Sequence, residues 1–238
     1  SVAQFCEDVT RLIQDIHAKG KMPLLVGGTM MYFKALQSGL SSLPQADAAL
    51  RETLMMEAQQ RGWHGMHQWL STIDPKSAAR IHPNDTQRIQ RALEVYQLTG
   101  IAMSEWINQS NHHGNEHYVN LALIPEDRSW LHQRIAVRFE EMLTHGLIEE
   151  VKTLLNKWPL TLAHPAMRSV GYRQVASFLN GDLDEAMLCA QGIAATRQLA
   201  KRQLTWLRHW PDPYIFTAED PLTTRKVVAN IKQILDNP

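Results

Sequence analysis

The chain has 238 residues, 44% hydrophobic and 20% charged, which excludes a disordered or low-complexity chain and allows one large domain or two small ones. Its 24 basic residues balance its 24 acidic ones, so any affinity for nucleic acid has to come from local charge asymmetry. Two cysteines, Cys6 and Cys189, without a CxxC spacing support neither a disulfide framework nor a Cys-based zinc site and point to the cytosol, and no apolar run approaches the roughly 18 residues of a membrane span.

Ser1 opens the chain inside a helical pattern with no initiator Met, which sets the expectation of a preceding segment. Residues 4–19 place Phe5, Val9, Leu12, Ile13 and Ile16 at helical spacing, and Lys19-Gly20-Lys21 ends that helix. Met22-Pro23-Leu24-Leu25-Val26 is a short continuous apolar run suited to a strand of a parallel sheet covered on both faces. Gly27-Gly28-Thr29 then leads into a helical pattern over 30–37. The two glycines either let backbone approach a ligand at the carboxyl end of a strand or make a tight turn at positive φ, and the tripeptide alone does not separate these.

After a loop from Gly39 to Pro44 the pattern changes to short helices over 48–61, 65–73, 76–80, 85–99 and 104–109, uninterrupted by a strand. This predicts a helical insertion over 41–116 between a first core segment, 1–40, and its return, 117–238. Asn84 is the expected cap of the 85–99 helix, with Gln87 three residues on at capping-box spacing. Ile89, Leu93 and Tyr96 form its apolar stripe. Arg88 and Arg91 share another face, which an exposed helix also explains because Glu94 lies near enough to Arg91 to pair.

Residues 118–124 read as a strand, and Asp127 or Ser129 can cap the next helix, whose core stripe is Leu131, Ile135, Phe139 and Met142 or Leu143. Arg134 and Arg138 sit on its other side. A further helix is expected over 149–156. The run Met167-Arg168-Ser169-Val170-Gly171-Tyr172-Arg173 gathers two arginines and a tyrosine around a glycine, which suits RNA; a helix N-terminus with incidental charges is the blander reading. Over 190–210 a helix carries Arg197, Lys201, Arg202 and Arg208, with no acidic residue anywhere from Ala186 to Pro211. On a wheel of about 100° per residue, Arg197, Lys201 and Arg208 fall within roughly 40°. Leu199, Ala200, Trp206, Leu207 and Trp210 gather opposite, as a face expected to be buried. The basic face suits a phosphate-rich ligand, against the alternative of a solvated surface on a core helix. Residues 214–216 form a possible last strand and 221–235 a closing helix.

Several chemistries lack their signatures. No GxxxxGK[ST] exists: before Gly20-Lys21 the earlier glycine is replaced by Asp15, and Met22 follows instead of Ser or Thr. His64 and His67 lack a third ligand, and His112, His113 and His117 lie in a polar loop, so no metal ligands are assigned. Neither GxSxG nor a Cys/His constellation stands out.

Taken together, Leu24-Leu25-Val26-Gly27-Gly28-Thr29, the stretch from Arg80-Ile81-His82-Pro83-Asn84-Asp85 through Arg88 to Arg91-Ala92-Leu93-Glu94-Val95, Gly171-Tyr172-Arg173-Gln174 and the run from Ala195 to Trp206 resemble the bacterial tRNA dimethylallyltransferase (isopentenyltransferase) family in order over essentially the whole chain. The resemblance implies a P-loop-NTPase-like α/β core, with a parallel sheet and an inserted all-helical domain. It implies transfer of a dimethylallyl group from dimethylallyl diphosphate to N6 of the adenine next to the anticodon, assisted by Mg²⁺, in a cytoplasmic enzyme expected to be a monomer without a membrane anchor. Arg138 and Thr29 match catalytic positions. Thr29, Arg51, Gln87, Arg88, Ile89, Gln90 and Arg91 match tRNA-contacting positions. So do Arg168, Ser169, Val170, Gly171, Tyr172 and Arg173, together with Lys201, Arg202, Gln203, Leu204, Thr205, Trp206, Leu207 and Arg208. The family's phosphate-cradling loop and general-base Asp belong to a segment before Ser1, so the expectation is that Mg²⁺ is held mainly by the diphosphate and that segment, and that these residues alone do not turn over. A non-catalytic tRNA-binding remnant and an adenylate isopentenyltransferase are the alternatives.

Overall fold

In the computed structural model residues 2–39, 43–109, 118–162 and 164–236 are described. The polar loop with His112, His113 and His117 lies outside them. The chain divides into two units, Ser1–Tyr118 and Val119–Pro238.

In the first unit α1, Val2–His17, packs on α2, Met30–Ser38, and Phe5 stacks on Tyr32 with ring centroids 4.6 Å apart. Between them the 22–26 run is not a strand. It pairs with no described strand, and Leu24 and Val26 are 66% and 87% exposed. An apolar run becomes a buried strand only when neighbouring strands hydrogen-bond to its backbone, and no described strand lies beside it. Neither Gly27 nor Gly28 adopts positive φ, so a tight turn is not what calls for glycine there.

Four more helices follow: α3, Ala48–Ile73, bent at Gly62 where the sequence pattern breaks; α4, Pro75–Arg80; α5, Thr86–Thr99; and α6, Met103–Gln109. Leu54, Met66, Leu70, Ile89 and Leu93 are the centre of their shared core. Asp74 fixes two helix starts at once, accepting the Ser77 N–H at 2.9 Å as the α4 cap and the Ser104 N–H at 2.9 Å in α6. The α5 cap is Asp85, which accepts the Arg88 N–H at 3.2 Å, and not the expected Asn84. The helix begins at Thr86, one residue later than expected, which puts Asp85 and not Asn84 at the cap position.

The second unit holds a parallel pair, β1, Leu121–Ile124, and β2, Tyr214–Thr217, in register from Leu121 opposite Tyr214 to Ile124 opposite Thr217. A parallel pair needs a long crossover. Here that crossover comprises α7, Arg128–Thr144; α8, Leu147–Lys157; a 3₁₀ turn, Pro165–Arg168; α9, Tyr172–Leu179; and α10, Glu185–Leu207. The closing helix, α11, Thr223–Asp236, packs on β2. This arrangement is of the α/β class, predominantly helical around a small parallel sheet. Asp127 is the α7 cap, accepting from the N–H groups of Ser129 and Trp130 at 2.7 and 3.3 Å. The core gathers Leu147, Val151, Met167, Val175, Ala176 and Leu188.

Helix α10 starts earlier than expected because Asp184 caps it, accepting the Met187 N–H at 2.7 Å. Its buried contacts come from Leu188 and Gly192, in its N-terminal half. The face expected to be buried is only partly so: Trp210 is buried, but Leu199 and Trp206 are 37% and 42% exposed. A helical wheel shows which residues share a face and says nothing of whether another element covers it. Among the described residues, no helix is long and apolar enough to cross a membrane.

Candidate functional site

In the first unit a set of basic residues is organised by one carboxylate. The Glu94 side chain is 0% exposed and accepts four hydrogen bonds: from Arg51 Nε at 2.9 Å and Nη2 at 3.1 Å, from Arg91 Nη1 at 2.7 Å and from the Asp47 N–H at 2.9 Å. Arg91 also donates to the Pro44 carbonyl at 2.7 Å, and Gln90 donates to the Arg51 carbonyl at 3.1 Å. Burying a lone carboxylate is costly, and here two guanidiniums and an amide offset that cost. Arg88 is more exposed and pairs with Asp85 at 2.6 Å; Gln87 is exposed, and Ile89 is a core residue. Thr29 stands exposed at the start of α2, with no capping hydrogen bond from its side chain.

Burial alone would push the Glu94 carboxyl up, but its bonds from Arg51, Arg91 and Asp47 outweigh that and hold it below the usual range. Asp74 behaves likewise, burial being overcome by its bonds from Ser77 and Ser104. A carboxylate whose folded pKa is depressed contributes stability above its unfolded pKa and loses it as pH falls through the folded value. The unfolding midpoint is therefore expected to be nearly flat above about pH 5 and to fall below about pH 4. In Asp74→Asn that acid limb becomes shallower; a limb of unchanged steepness in thermal scans from pH 3 to 7 would remove Asp74 from the explanation.

In the second unit, α10 packs on both α7 and α9, bringing together the helices that carry three of the sequence-derived segments. The α7–α10 seam closes at Gly192, against the Phe139 ring. Arg138, next in the chain to Phe139, is exposed and makes no hydrogen bond or ion pair with any described residue. Arg134 instead lies over the Trp130 ring, 5.8 Å from its centroid. Between the 3₁₀ turn and α9, Gly171 adopts φ 97°, a conformation side chains rarely tolerate, and donates its N–H to the buried Gln174 Oε1 at 2.9 Å. Tyr172 donates its hydroxyl to Glu150, and this bond, with some burial, raises its pKa. Arg168, Ser169 and Arg173 are exposed around this loop and Val170 is half-buried.

Arg197, Lys201, Arg202 and Arg208 are all exposed and make no ion pair with any described residue. Thr205 and Trp206 are exposed beside them, while Gln203, Leu204 and Leu207 are half-buried. Surface helices ordinarily interleave opposite charges at i and i+4. An exposed cationic face without them leaves its electrostatic attraction available to a polyanion. No three His, Cys, Asp or Glu side chains converge to hold a metal among the described residues.

Sequence reasoning missed Glu94 as the partner of Arg51. The only local signal was the Arg91–Glu94 spacing, since Arg51 lies 43 residues away in the chain.

The fold and these residues define an α/β protein whose second unit exposes arginine and lysine side chains on α7 and α10 that pair with no described acid. The IPP transferase family model matches residues 1–210. Among curated relatives, a tRNA dimethylallyltransferase of Legionella pneumophila is 54% identical over 237 residues, covering 100% of this chain and 76% of the relative. One of Coxiella burnetii is 49% identical over 235 residues, covering 98% and 76%. Of solved structures, a full-length tRNA isopentenylpyrophosphate transferase from Bacillus halodurans aligns with TM-score 0.64 and 32% identity, over 99% of this chain and 73% of that one. A eukaryotic dimethylallyltransferase acting on tRNA aligns with TM-score 0.77 and 25% identity, over 100% and 62%. The chain belongs to the IPP transferase family.

Proposed function

We propose that this protein transfers a dimethylallyl group from dimethylallyl diphosphate to N6 of the adenine adjacent to the tRNA anticodon. The observation that carries this reading is the acid-free, unpaired basic face of α10, whose base is packed on the helix bearing the unpaired Arg138. The relatives' names support the same reaction. In it, the target adenine leaves the anticodon-loop stack, its N6 bonds to the prenyl carbon, the C–O bond to diphosphate breaks, and a base takes the N6 proton. Negative charge grows on the departing diphosphate. A guanidinium at Arg138 stabilises that charge more in the transition state than in the ground state.

Loop 168–173 and α10 bind the RNA in the second unit. Arg51, Gln87, Arg88, Gln90 and Arg91 bind it in the first, Ile89 being a fully buried core residue and not a contact as the resemblance implied, and Thr29 contributes at the reacting end. Mg²⁺ would add neutralisation of the diphosphate. Among the described residues no three His, Cys, Asp or Glu side chains converge to hold the ion, so the reading keeps it with the diphosphate and a segment preceding these residues, and the role of Arg138 stands without it. The same reading takes the enzyme as a cytoplasmic monomer.

The test is binding of an anticodon stem-loop across a salt series. For several phosphate contacts log K falls with log salt, by roughly 0.7 per contact on single strands. Absence of binding at low salt would sink the RNA reading. Prenylation of AMP as fast as of the stem-loop would replace it with a nucleotide-directed transferase, and binding without transfer with a tRNA-binding protein.

A further inference from the structure

Among the residues assigned to RNA in the first unit, Arg51 has a guanidinium gripped along one edge by a fully buried carboxylate and still open on the other. Its Nε and Nη2 are held by Glu94, while Nη1 makes no hydrogen bond to any described residue and the side chain is 45% exposed. We infer that Glu94 is a positioning residue for RNA binding: it fixes Arg51 so that the free edge of its guanidinium is preset to donate to an RNA phosphate. The inference rests on the proposed RNA-binding function and deepens it.

The geometry supports this in three ways. First, a free arginine loses considerable rotamer freedom on meeting a phosphate, and a planar guanidinium already gripped along one edge loses less. Second, the grip is over-determined. The Asp47 N–H bonds to the same carboxylate, Asp47 caps α3 by accepting the Leu50 N–H at 2.8 Å, and Gln90 bonds to the Arg51 carbonyl. Backbone and side chain of Arg51 are thus both fixed from α5. Third, the carboxylate does not cancel the charge it orients, because Arg91 shares it and two guanidiniums face one Glu94. A buried acid serving stability alone would have no need to leave an arginine half exposed with one amino group free.

The test measures stem-loop affinity and its salt slope on the full chain, for wild type, Arg51→Ala, Arg51→Lys, Glu94→Gln and the Arg51→Ala/Glu94→Gln pair. Arg51→Ala and Glu94→Gln should each weaken binding about tenfold and lower the salt slope by about 1. The double variant should bind like Arg51→Ala, since Glu94 acts through that side chain. Arg51→Lys keeps the charge but cannot be held along two nitrogens, so it should lose nearly as much as Ala. Glu94→Gln binding with wild-type affinity and slope, a double variant whose losses multiply, or Arg51→Lys binding like wild type would each overturn the inference. If Glu94→Gln does not fold, the exposed-residue variant Arg51→Lys decides alone. Wild-type chain that binds no stem-loop would instead refute the proposed function.

Discussion

Arg138→Ala is expected to lower kcat for prenyl transfer by about 100- to 1,000-fold while changing stem-loop affinity by less than about threefold. The structural reason is that this guanidinium stands exposed on α7 and unneutralised. Glu141 lies three residues on, a spacing at which helical ion pairs form, yet no ion pair joins it to Arg138. A cation without an internal partner offers its full interaction to charge that develops on a ligand. Removing one donor to a developing oxyanion costs about 2.7–4 kcal/mol of transition-state stabilisation, which corresponds to that loss of rate. Arg134, one turn earlier, is engaged over Trp130 and serves as the control; Arg134→Ala should fall by no more than about tenfold. Single-turnover kinetics with stem-loop saturating would separate the effects. An equal fall in kcat and RNA affinity for Arg138→Ala would mean that the residue binds RNA and has no special part in leaving-group departure.

Gly192→Val should destabilise the protein by about 3 kcal/mol, lowering the thermal midpoint by about 6–12 °C. Replacing a glycine inside a helix normally stabilises it, by roughly 0.5–1 kcal/mol for Ala. At this position the sign reverses, because a Cβ would lie 1.9 Å from Phe139 Cζ and 2.3 and 2.5 Å from two further ring atoms. Phe139 is almost wholly buried, so the ring has little room to retreat, and α10 would have to lift from α7. Phe139→Leu in the Gly192→Val background should recover part of the loss by trading the clash for a smaller side chain. A Gly192→Val protein as stable as wild type would show that the seam can open freely. Because Arg138 adjoins Phe139, the same variant should also blunt turnover, reporting on how the packing aims the guanidinium.

Much of the helical content was legible from periodicity and terminal residues. The α5 stripe of Ile89 and Leu93, the Asp127 cap of α7 and the break between the two halves of α3 all follow from local rules, and the structure contains them. The slip from Asn84 to Asp85 at the α5 cap is a one-residue shift of the helix start, to Thr86, between two adjacent residues that can both cap. The larger departures were not local. Residues 22–26 have the composition of a buried strand, yet Met22, Leu24 and Val26 stand exposed, and Leu199 and Trp206 have the spacing of a buried helix face and remain substantially in solvent.

The candidate site divides the same way. By itself the sequence determined which residues carry charge, that no acid occurs between Ala186 and Pro211, and, through four ordered motifs, the family to which the chain belongs. Only the tertiary structure decided which of those charges are free. Arg51 and Arg91 look alike in the sequence, yet Arg91 is tied to Glu94 and the Pro44 carbonyl while Arg51 keeps an open edge; on α7, Arg134 is engaged by an aromatic ring and Arg138 is not. Composition and spacing are properties of one segment, whereas burial, ion pairing and strand formation are relations between two. The second partner, 43 residues away for Arg51, is supplied only by the fold.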